Sequence, residues 1–371
     1  MSNLPHPSGI LDPKIVSLMR KDAPDAEKNG KFTKAQLNLI HDQKWLKMLA
    51  PARYGGLELS LPAILEKEEA LAWADGSIGW MVTLCAGSGW FNGFIDPELA
   101  KKILSDPKVC MAGSGGKMGT AEKTKAGYTV TGEWAHACGA NQATVFTANC
   151  TVTQGGKPVK DENDKNKVLS FVLFKDEVTI IPAWNTIGMV ATGSDGFKVT
   201  GLKVTEDRAF VINNDTTGID APLYNYPFTP LAEATMAVNI SGMALHFTDL
   251  CTTLFNEKKN RSNQLLINDL GVQETLEKYT ARLEDARMKL YYAVSLSWDA
   301  CKNNKRIKEA IIYKVSAGAQ ELAKRARECV DALYPYCGLF AAGKDTEINR
   351  VWRDLHTASQ HTLLVFGGSP E

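Results

Sequence analysis

The sequence predicts a multidomain α and β protein: a helical domain, a central sheet domain and a helical bundle follow one another along 371 residues. Apolar residues recur with the 3.6-residue period of an α-helix at both ends of the chain. Between them, short runs rich in β-branched and aromatic residues are typical of strands. The chain is also too long for one ordinary core. We therefore predict domains at 1–105, 106–212 and 213–371.

The N-terminal domain is predicted to be helical. Apolar positions keep helical spacing in the runs that begin at Ile15, Phe32 and Leu61. The segment Pro51–Gly56, with its proline and paired glycines, predicts a compact turn between the second and third runs.

The third run ends in large aromatic side chains separated by small residues. This pattern is typical of helix–helix packing, and it also suits the wall of a pocket for a flat ligand. Both interpretations stay open. The candidate pocket residues are Trp80, Trp90, Phe91 and Phe94.

The central domain is predicted to form a β-barrel-like sheet. Residues 145–152 and 168–174 have strand composition, and shorter strands follow between 178 and 204. A hairpin is predicted to turn at Lys125–Gly127 and to return toward Trp134. A sheet module after a helical region indicates a separate domain.

The stretch before and after this hairpin is the first candidate site. Ala112–Gly116 is interpreted as a loop of small residues, which lets a flat ligand approach the backbone. After the hairpin, Trp134–Gly139 offers a wall with several short hydrogen-bonding groups. A glycine-rich loop before a hairpin is more often a plain connection.

The C-terminal domain is predicted to be a four-helix bundle, with three long helices and a shorter one packed across them. On that last helix, Arg350, Asp354 and His361 fall on one face at helical spacing. One interpretation is a solvated face with an Arg–Asp pair. The other is a polar stripe that faces a buried site, where His361 can exchange a proton near neutral pH.

Composition limits the function classes. Lys plus Arg equal Asp plus Glu at 42 each, so the chain has no net positive charge to attract nucleic acid. The eight cysteines and six histidines lack the spacing of metal sites, and we expect no metal. We also expect no membrane segment and no leader, and hence a soluble, cytoplasmic protein.

Six short motifs occur in a fixed order that spans nearly the whole chain. In chain order they are Pro51–Gly56, Ala72–Ser77, Gly132–Trp134 with Cys138–Gly139, Ile187–Met189 with Thr192–Ser194, Arg261 with Gln273, and Arg350–Asp354. With these motifs in this order of domains, the chain resembles the acyl-CoA dehydrogenase fold.

Two chemistries occur within that fold, dehydrogenation of acyl-CoA and flavin-dependent monooxygenation, and the resemblance favours monooxygenation. Dehydrogenases use a carboxylate base, usually about eight residues after the terminal Arg–Asp pair, where this chain has Thr362. Threonine cannot serve as that base. Residues 349–361 look more like the flavin-dependent monooxygenases of two-component systems, the relatives of 4-hydroxyphenylacetate and dibenzothiophene oxygenases. There, His361 would lie beside the flavin ring as the catalytic residue.

The resemblance also implies a cofactor and partners. Reduced flavin, FAD or FMN, would come from a separate flavin reductase, and the fold would assemble as a homotetramer. Arg261 would bind flavin phosphate, plausibly across a subunit boundary, because a guanidinium binds phosphate with two parallel hydrogen bonds. The cofactor-binding residues implied are Gly113, Ser114, Trp134, His136, Ala137, Cys138, Arg261 and Arg350.

Two departures and two alternatives accompany this prediction. The family often has serine at Cys138, and the Gly–Gly pair used against adenosine appears only as Cys337–Gly338, which leaves FAD and FMN both open. An acyl-CoA dehydrogenase could take its base from Glu274, Glu277 or Glu284. A non-catalytic flavin-binding scaffold is the second alternative.

Overall fold

The computed structural model describes residues 4–214, 217–303 and 306–365, and of residues 116–118 only the backbone. Helices precede and follow a sheet. The helices are α1 (Pro13–Asn29), α2 (Lys34–Asp42), α3 (Leu61–Ala74), α4 (Gly76–Trp90), α5 (Pro97–Ser105), α6 (Pro222–Asn225), α7 (Phe228–Glu257), α8 (Leu270–Lys302), α9 (Glu309–Cys337), α10 (Leu339–Ala342), α11 (Glu347–Ala358) and α12 (Thr362–Val365). The strands are β1 (Met111–Thr124), β2 (Gly127–Trp134), β3 (Val145–Gln154), β4 (Lys157–Pro158), β5 (Val168–Phe174), β6 (Thr179–Ile181), β7 (Gly196–Val204) and β8 (Ala209–Phe210).

The helical run predicted from Leu61 is two helices. Asp75 has extended backbone dihedral angles, and its carboxylate accepts a hydrogen bond from the backbone N–H of Ile78 at 2.8 Å. It therefore ends α3 and is the N-cap of α4, which satisfies an otherwise unpaired donor of the new helix. This break aims α4 into the interior of the molecule.

The sheet has the order β6–β7–β2–β1–β3–β5–β8, with β4 paired to β3. The predicted hairpin is confirmed, because β1 and β2 pair antiparallel with Thr124 opposite Gly127. β1 pairs parallel to β3, so the sheet is mixed. Within the described residues its hydrogen bonding runs from one edge at β6 to the other at β8, so it is open rather than barrel-like.

The prediction of a loop at Ala112–Gly116 is wrong, because this segment is the first half of β1. Met111 to Ser114 pair in register with Val145 to Ala148 of β3. A Cβ atom at Gly113 would lie 2.2 Å from Oγ1 of Thr147. The glycine is thus needed for the close approach of two strands, and the space beside its Cα is filled by Thr147.

The sheet has its own apolar core, whereas the helices from both ends of the chain share another. A buried ion pair crosses this shared core: Arg287 of α8 binds Glu69 of α3 with two hydrogen bonds of 2.9 and 2.8 Å. Three long helices and α11 form the C-terminal part, as predicted. The division at residues 105 and 212 stays a prediction. Among the described helices, none has the length and apolar character needed to cross a bilayer.

The last predicted helix is shorter than expected. α11 ends at Ala358, Ser359 is its C-cap, and His361 lies in the break before α12. The prediction that His361 shares a helical face with Arg350 and Asp354 is therefore wrong. The break frees the imidazole from the direction that α11 imposes on its own side chains.

Candidate functional site

His361 lies against the indole of Trp80. The two ring centroids are 6.0 Å apart, with an edge-to-face angle of 63°. Nδ1 of the imidazole accepts a hydrogen bond from the backbone N–H of Leu363 at 3.4 Å. Burial lowers the pKa of His361 below the ordinary value of 6.5.

These contacts define the state of the imidazole. A nitrogen that accepts a hydrogen bond carries no proton, so the proton of the neutral ring is on Nε2. Burial disfavours the charged imidazolium, because apolar surroundings solvate charge poorly. His361 is therefore a neutral donor at neutral pH, held by the backbone of α12 and by Trp80 of α4.

Helix α4 also borders the segment that follows β2. Sγ of Cys85 donates to the carbonyl oxygen of Cys138 at 3.5 Å. A Cβ atom at Gly139 would lie 3.1 Å from Cys85 Sγ and 3.4 Å from a side-chain carbon of Met81. Met81 directly follows Trp80, so one helix contacts both His361 and the candidate segment after β2.

That segment is held by the loop between β6 and β7. The backbone N–H of Ala137 donates to the carbonyl of Asp195 at 2.9 Å, and that of Gly139 donates to the carbonyl of Thr192 at 3.0 Å. The Asp195 carboxylate accepts from the backbone N–H groups of Ala183 and Trp184, both at 2.9 Å. The loop is thereby cross-linked to itself and to the segment.

His136 is the strained and exposed residue of this segment. Its φ is +60°, in the left-handed region that non-glycine residues seldom adopt. Its ring is exposed and lies edge-on to Trp184, with centroids 6.0 Å apart. Such backbone outliers cluster at functional sites, where the surrounding structure holds them in place.

Cys138, next in the candidate set, is buried. Burial raises the pKa of its thiol to about 12, so the sulfur stays protonated at neutral pH. Ala137 is also fully enclosed. Only Ala135 and His136 of this segment present exposed side chains.

Trp134 lies elsewhere than predicted. Its side chain is 0% exposed, stacks on Phe197 with centroids 5.1 Å apart, and donates its indole N–H to the carbonyl of Asn149 at 3.1 Å. It is thus part of the sheet core rather than an open wall. Ser114, on β1, is half-buried.

Arg350 is buried among acidic residues. It lines a cavity of ≈ 10 Å³ together with Asp75, Asp354 and Glu27, which is room for about one water molecule. Its contact with a cofactor stays a prediction. Burial raises the pKa of Asp354 to about 7, although this carboxylate accepts a 2.5 Å hydrogen bond from the backbone N–H of Met189.

Of the four aromatic residues named as a pocket, Trp90, Phe91 and Phe94 pack against one another, whereas Trp80 packs against His361. Trp90 is fully enclosed, with Phe94, Phe228 and Tyr224 at centroid distances of 4.6, 5.5 and 6.1 Å, so it belongs to a packed core. Phe91 and Phe94 are half-buried at its rim. Only Trp80 contacts His361.

Sequence analysis missed a second set of candidate residues on α4. Leu84, Gly87 and Ser88 are half-exposed in an otherwise buried helix. They follow Trp80 at helical spacing, four, seven and eight residues on, and so share its side of α4. A Cβ atom at Gly87 would have nothing within 4 Å. The i, i+4, i+7 spacing from Trp80 could have found them.

Comparison with known proteins assigns the fold. Residues 234–366 match the family described as acyl-CoA dehydrogenase, C-terminal domain. XiaF from Streptomyces sp., solved in complex with FADH2 and glycerol, has a TM-score of 0.87 at 20% identity, covering 95% of this chain and 89% of that one. The chain has the acyl-CoA dehydrogenase fold.

Two further relatives refine this assignment. The oxygenase subunit HsaA of a flavin-dependent monooxygenase from Rhodococcus jostii (strain RHA1) is 22% identical over 94% of this chain and 92% of its own. TdsC from Paenibacillus sp. A11-2, in a complex with FMN and indole, has a TM-score of 0.80 at 19% identity, covering 95% and 93%. The predicted resemblance to monooxygenase oxygenase components is confirmed.

In this acyl-CoA dehydrogenase fold, the carboxylates considered as alternative bases lie on α8. Glu274 and Glu277 are exposed. Both oxygens of Glu284 accept hydrogen bonds from Arg287, at 2.8 and 2.7 Å. Thr362 is exposed and carries no carboxyl group. Among the described residues, the partners of the His361 ring are Trp80 and the backbone N–H of Leu363, and none of the three glutamates is among them.

Arg261 is exposed in the loop between α7 and α8. A short hairpin, bridged between Lys259 and Leu265, shapes this loop. An exposed guanidinium is free to bind an anion with its planar fork. Its binding of flavin phosphate across a subunit boundary stays a prediction.

Proposed function

We propose that this protein is the oxygenase component of a two-component flavin-dependent monooxygenase, which uses reduced flavin and O2 to oxidise a small apolar or aromatic substrate. The observation that carries the proposal is the environment of His361. A neutral imidazole with its proton on Nε2 lies against Trp80, and the position where dehydrogenases usually have their base is Thr362. These residues can donate a proton, but they include no carboxylate base that could remove one from a substrate.

The cofactor is reduced FAD or FMN, delivered by a separate flavin reductase. Solved relatives carry FADH2 in one case and FMN in the other. Bound reduced flavin supplies activation of O2. Ala135, His136 and Arg261 are exposed; Ala135 and His136 would border the ring, Arg261 would hold the phosphate, and Gly113 and Ser114 would support the site through β1.

His361 holds and supplies a proton in this proposal. Its Nε2–H is the donor, and the backbone N–H of Leu363 fixes the ring through Nδ1. Trp80 and the buried α4 exclude water from one side of the imidazole. A dry environment strengthens the hydrogen bond that Nε2–H makes to a developing negative charge.

The substrate is expected along the open side of α4. Leu84 and Gly87 extend the apolar surface that begins at Trp80, and the space beside Gly87 admits part of a ligand. The solved relative with bound indole is consistent with a flat, largely apolar substrate. A surface of this kind, with one donor at its end, is typical of small-molecule sites.

We also propose a cytoplasmic homotetramer. All eight cysteines are unpaired and buried, which favours a reducing compartment. Leu270, Tyr313 and Leu339 are 74%, 73% and 91% exposed on the C-terminal helices. Large apolar side chains this exposed are typical of surfaces that are covered by another subunit.

The deciding experiment supplies chemically reduced FAD or FMN anaerobically, adds O2, and measures oxygen uptake, peroxide release and substrate oxidation with a panel of indoles, phenols and thiophenes. We expect one of them to raise product at the expense of peroxide. If no compound of the panel changes the peroxide released, so that the yield equals that of protein and flavin alone, the protein is the non-catalytic scaffold.

The rival activity, acyl-CoA dehydrogenase, is supported by the description of the matching family and by one relative, the putative acyl-CoA dehydrogenase YdbM of Bacillus subtilis, which is 21% identical over 92% of this chain. It predicts that an acyl-CoA thioester bleaches bound oxidised flavin without O2. We expect no bleaching, because Thr362 occupies the usual position of the base and Arg287 binds both carboxylate oxygens of Glu284.

A further inference from the structure

Two cysteines lie side by side where the end of α9 packs on α7. Sγ of Cys251, on α7, is 3.4 Å from Sγ of Cys337, the last residue of α9. Cys337 belongs to the Cys337–Gly338 pair that the family resemblance matches to the Gly–Gly pair used against adenosine. We propose that Cys251 and Cys337 are a site of oxidative modification, and that hydrogen peroxide converts this pair to a disulfide in the folded protein.

The surroundings give the two thiols different roles. A hydrogen bond with Cys251 lowers the pKa of Cys337 against the opposing effect of burial, and the ammonium group of Lys258 also lowers it. Nζ of Lys258 also donates to the carbonyl oxygen of Cys337 at 3.0 Å. Burial, and then the contact with Cys337, raise the pKa of Cys251. Since thiolates are the nucleophiles, Cys337 attacks first and Cys251 resolves.

The reaction is balanced with peroxide as the oxidant. The Cys337 thiolate attacks one peroxide oxygen, the O–O bond breaks, and the leaving hydroxide takes a proton to become water. The sulfur of Cys251 then attacks the sulfenic acid at Cys337, the S–O bond breaks, and the hydroxyl leaves as water with the thiol proton. The pair loses two electrons and two protons. Flavin is not required.

Peroxide reaches the pair through the corner after α9. Cys337 is followed by Gly338, which has φ +64°, and then by Leu339, which is 91% exposed. Helix α10 at this corner is only one turn long. Short exposed elements open at lower free-energy cost than the core, so local opening exposes Cys337 before Cys251.

A second group of thiols provides an internal comparison. Cys85 neighbours Cys110 and Cys138, and the hydrogen bond with Cys110, followed by burial, raises its pKa well above the ordinary value. The groups that set this pKa are thiols, without an ammonium such as Lys258. We therefore expect peroxide to modify Cys337 while Cys85 stays reduced.

The test treats the folded protein, freed of flavin, with hydrogen peroxide and maps its peptides without reduction. We expect one linked peptide that joins Cys251 to Cys337, and an intact mass lower by two hydrogen atoms. Cys337→Ser abolishes the link, and the matched variant Cys329→Ser, at another buried thiol of α9, retains it. In Cys251→Ser, dimedone should trap a sulfenic acid at Cys337.

A link between other cysteines, dimedone on another residue of Cys251→Ser, or oxidation without any link would each overturn the proposal. Circular dichroism of each variant shows whether it is folded, and Cys251→Ala replaces the serine variant if it is not. The oxidised wild-type protein should also melt several degrees higher, because the link closes a long loop. Since peroxide is added directly, the outcome is independent of the monooxygenase proposal.

Discussion

At the scale of single residues, His361 differs from three other histidines in its partners. His6, His246 and His356 each have a carboxylate oxygen within 3.6 Å of the ring. A neighbouring carboxylate stabilises imidazolium. The described partners of the His361 ring are an indole and a backbone N–H, which suit a ring that stays neutral.

We expect His361→Ala to lower the ratio of product to released peroxide on the order of tenfold or more, because a positioned proton donor is lost. His361→Gln, whose amide N–H reaches about as far as Nε2, should restore part of it. His356→Ala, which removes an imidazole bound to Asp331, is the matched control. Coupled oxygen and product assays measure the ratio; an equal ratio in wild type and His361→Ala would rule out this role.

The pH dependence follows from the same ring. Because burial lowers the pKa of His361 below 6.5, the neutral donor prevails at pH 7 and above, and protonation begins only on the acid side of 6.5. We expect the ratio of product to released peroxide in the wild-type protein to be constant above pH 7 and to change on the acid side of pH 6.5. His361→Gln should not show that change.

Asp354 gives a prediction about stability. Its pKa is about 7 in the folded chain against an ordinary 3.8, so between these values the folded state holds the proton that the unfolded state has lost. Stability contributed by this group is present below pH 3.8 and is lost as the pH rises toward 7. Asp354→Asn mimics the protonated form. Between pH 5 and pH 8, its free energy of unfolding should rise relative to that of wild type by on the order of 2–4 kcal/mol. Urea unfolding at both values tests this; a constant difference would contradict it.

At the scale of elements, the sequence predicted correctly those features whose determining residues lie close together in the chain. The hairpin turn at Lys125–Gly127 was readable because turn residues and alternation lie within a few positions. The strand at Ala112–Gly116 was missed, because its small residues have low strand propensity and only the parallel partner β3, more than 30 residues away, makes it a strand.

The candidate site shows the same limit. The family resemblance pointed to His361 and to the segment after β2, and the structure places both against α4. The resemblance could not show that Arg350 is enclosed by Asp75, which lies 275 positions earlier. Nor could helical periodicity show that α11 ends before His361. Burial by distant elements decided each case.

Gly188 holds the β6–β7 loop on α11. A Cβ atom there would lie 2.2 Å from the carbonyl carbon of Arg353, beside the hydrogen bond from Met189 N–H to Asp354. We expect Gly188→Ala to push the loop from α11 and to lower the free energy of unfolding by about 1–3 kcal/mol. Gly218→Ala, where a Cβ meets nothing within 4 Å, should leave it nearly unchanged. Denaturation of both variants measures the effect, and equal stability would contradict this docking.

At the scale of the whole molecule, the helices from both ends of the chain share one apolar core. The ion pair between Arg287 and Glu69 is nearly fully buried, and Tyr291 and Ser241 donate further hydrogen bonds to Glu69 at 2.9 and 2.6 Å. A buried charge pair is tolerable only when its polar atoms are satisfied in this way. The shared core fixes α3 and α4, and with them Trp80, relative to the helices that precede His361.

Assembly and cofactor binding are coupled if Arg261 serves a second subunit. Leu339 is 91% exposed and Arg261 is exposed on a nearby helical corner of the same bundle. We expect Leu339→Asp to dissociate the oligomer, because it places a charge in an apolar interface, and to weaken flavin binding at the same time. Arg261→Ala should weaken flavin binding on the order of tenfold while the oligomer persists, because it removes a charge-assisted phosphate contact.

Sedimentation velocity and anaerobic flavin titration on the same samples separate these outcomes. Val211→Asp, at a 52% exposed apolar residue outside the helical bundle, is the control and should change neither quantity. If Leu339→Asp dissociates the oligomer with flavin affinity intact, Arg261 acts within its own subunit. If Arg261→Ala leaves the affinity at the wild-type value, the phosphate is held by other residues, because a lost bidentate contact has to appear as weaker binding.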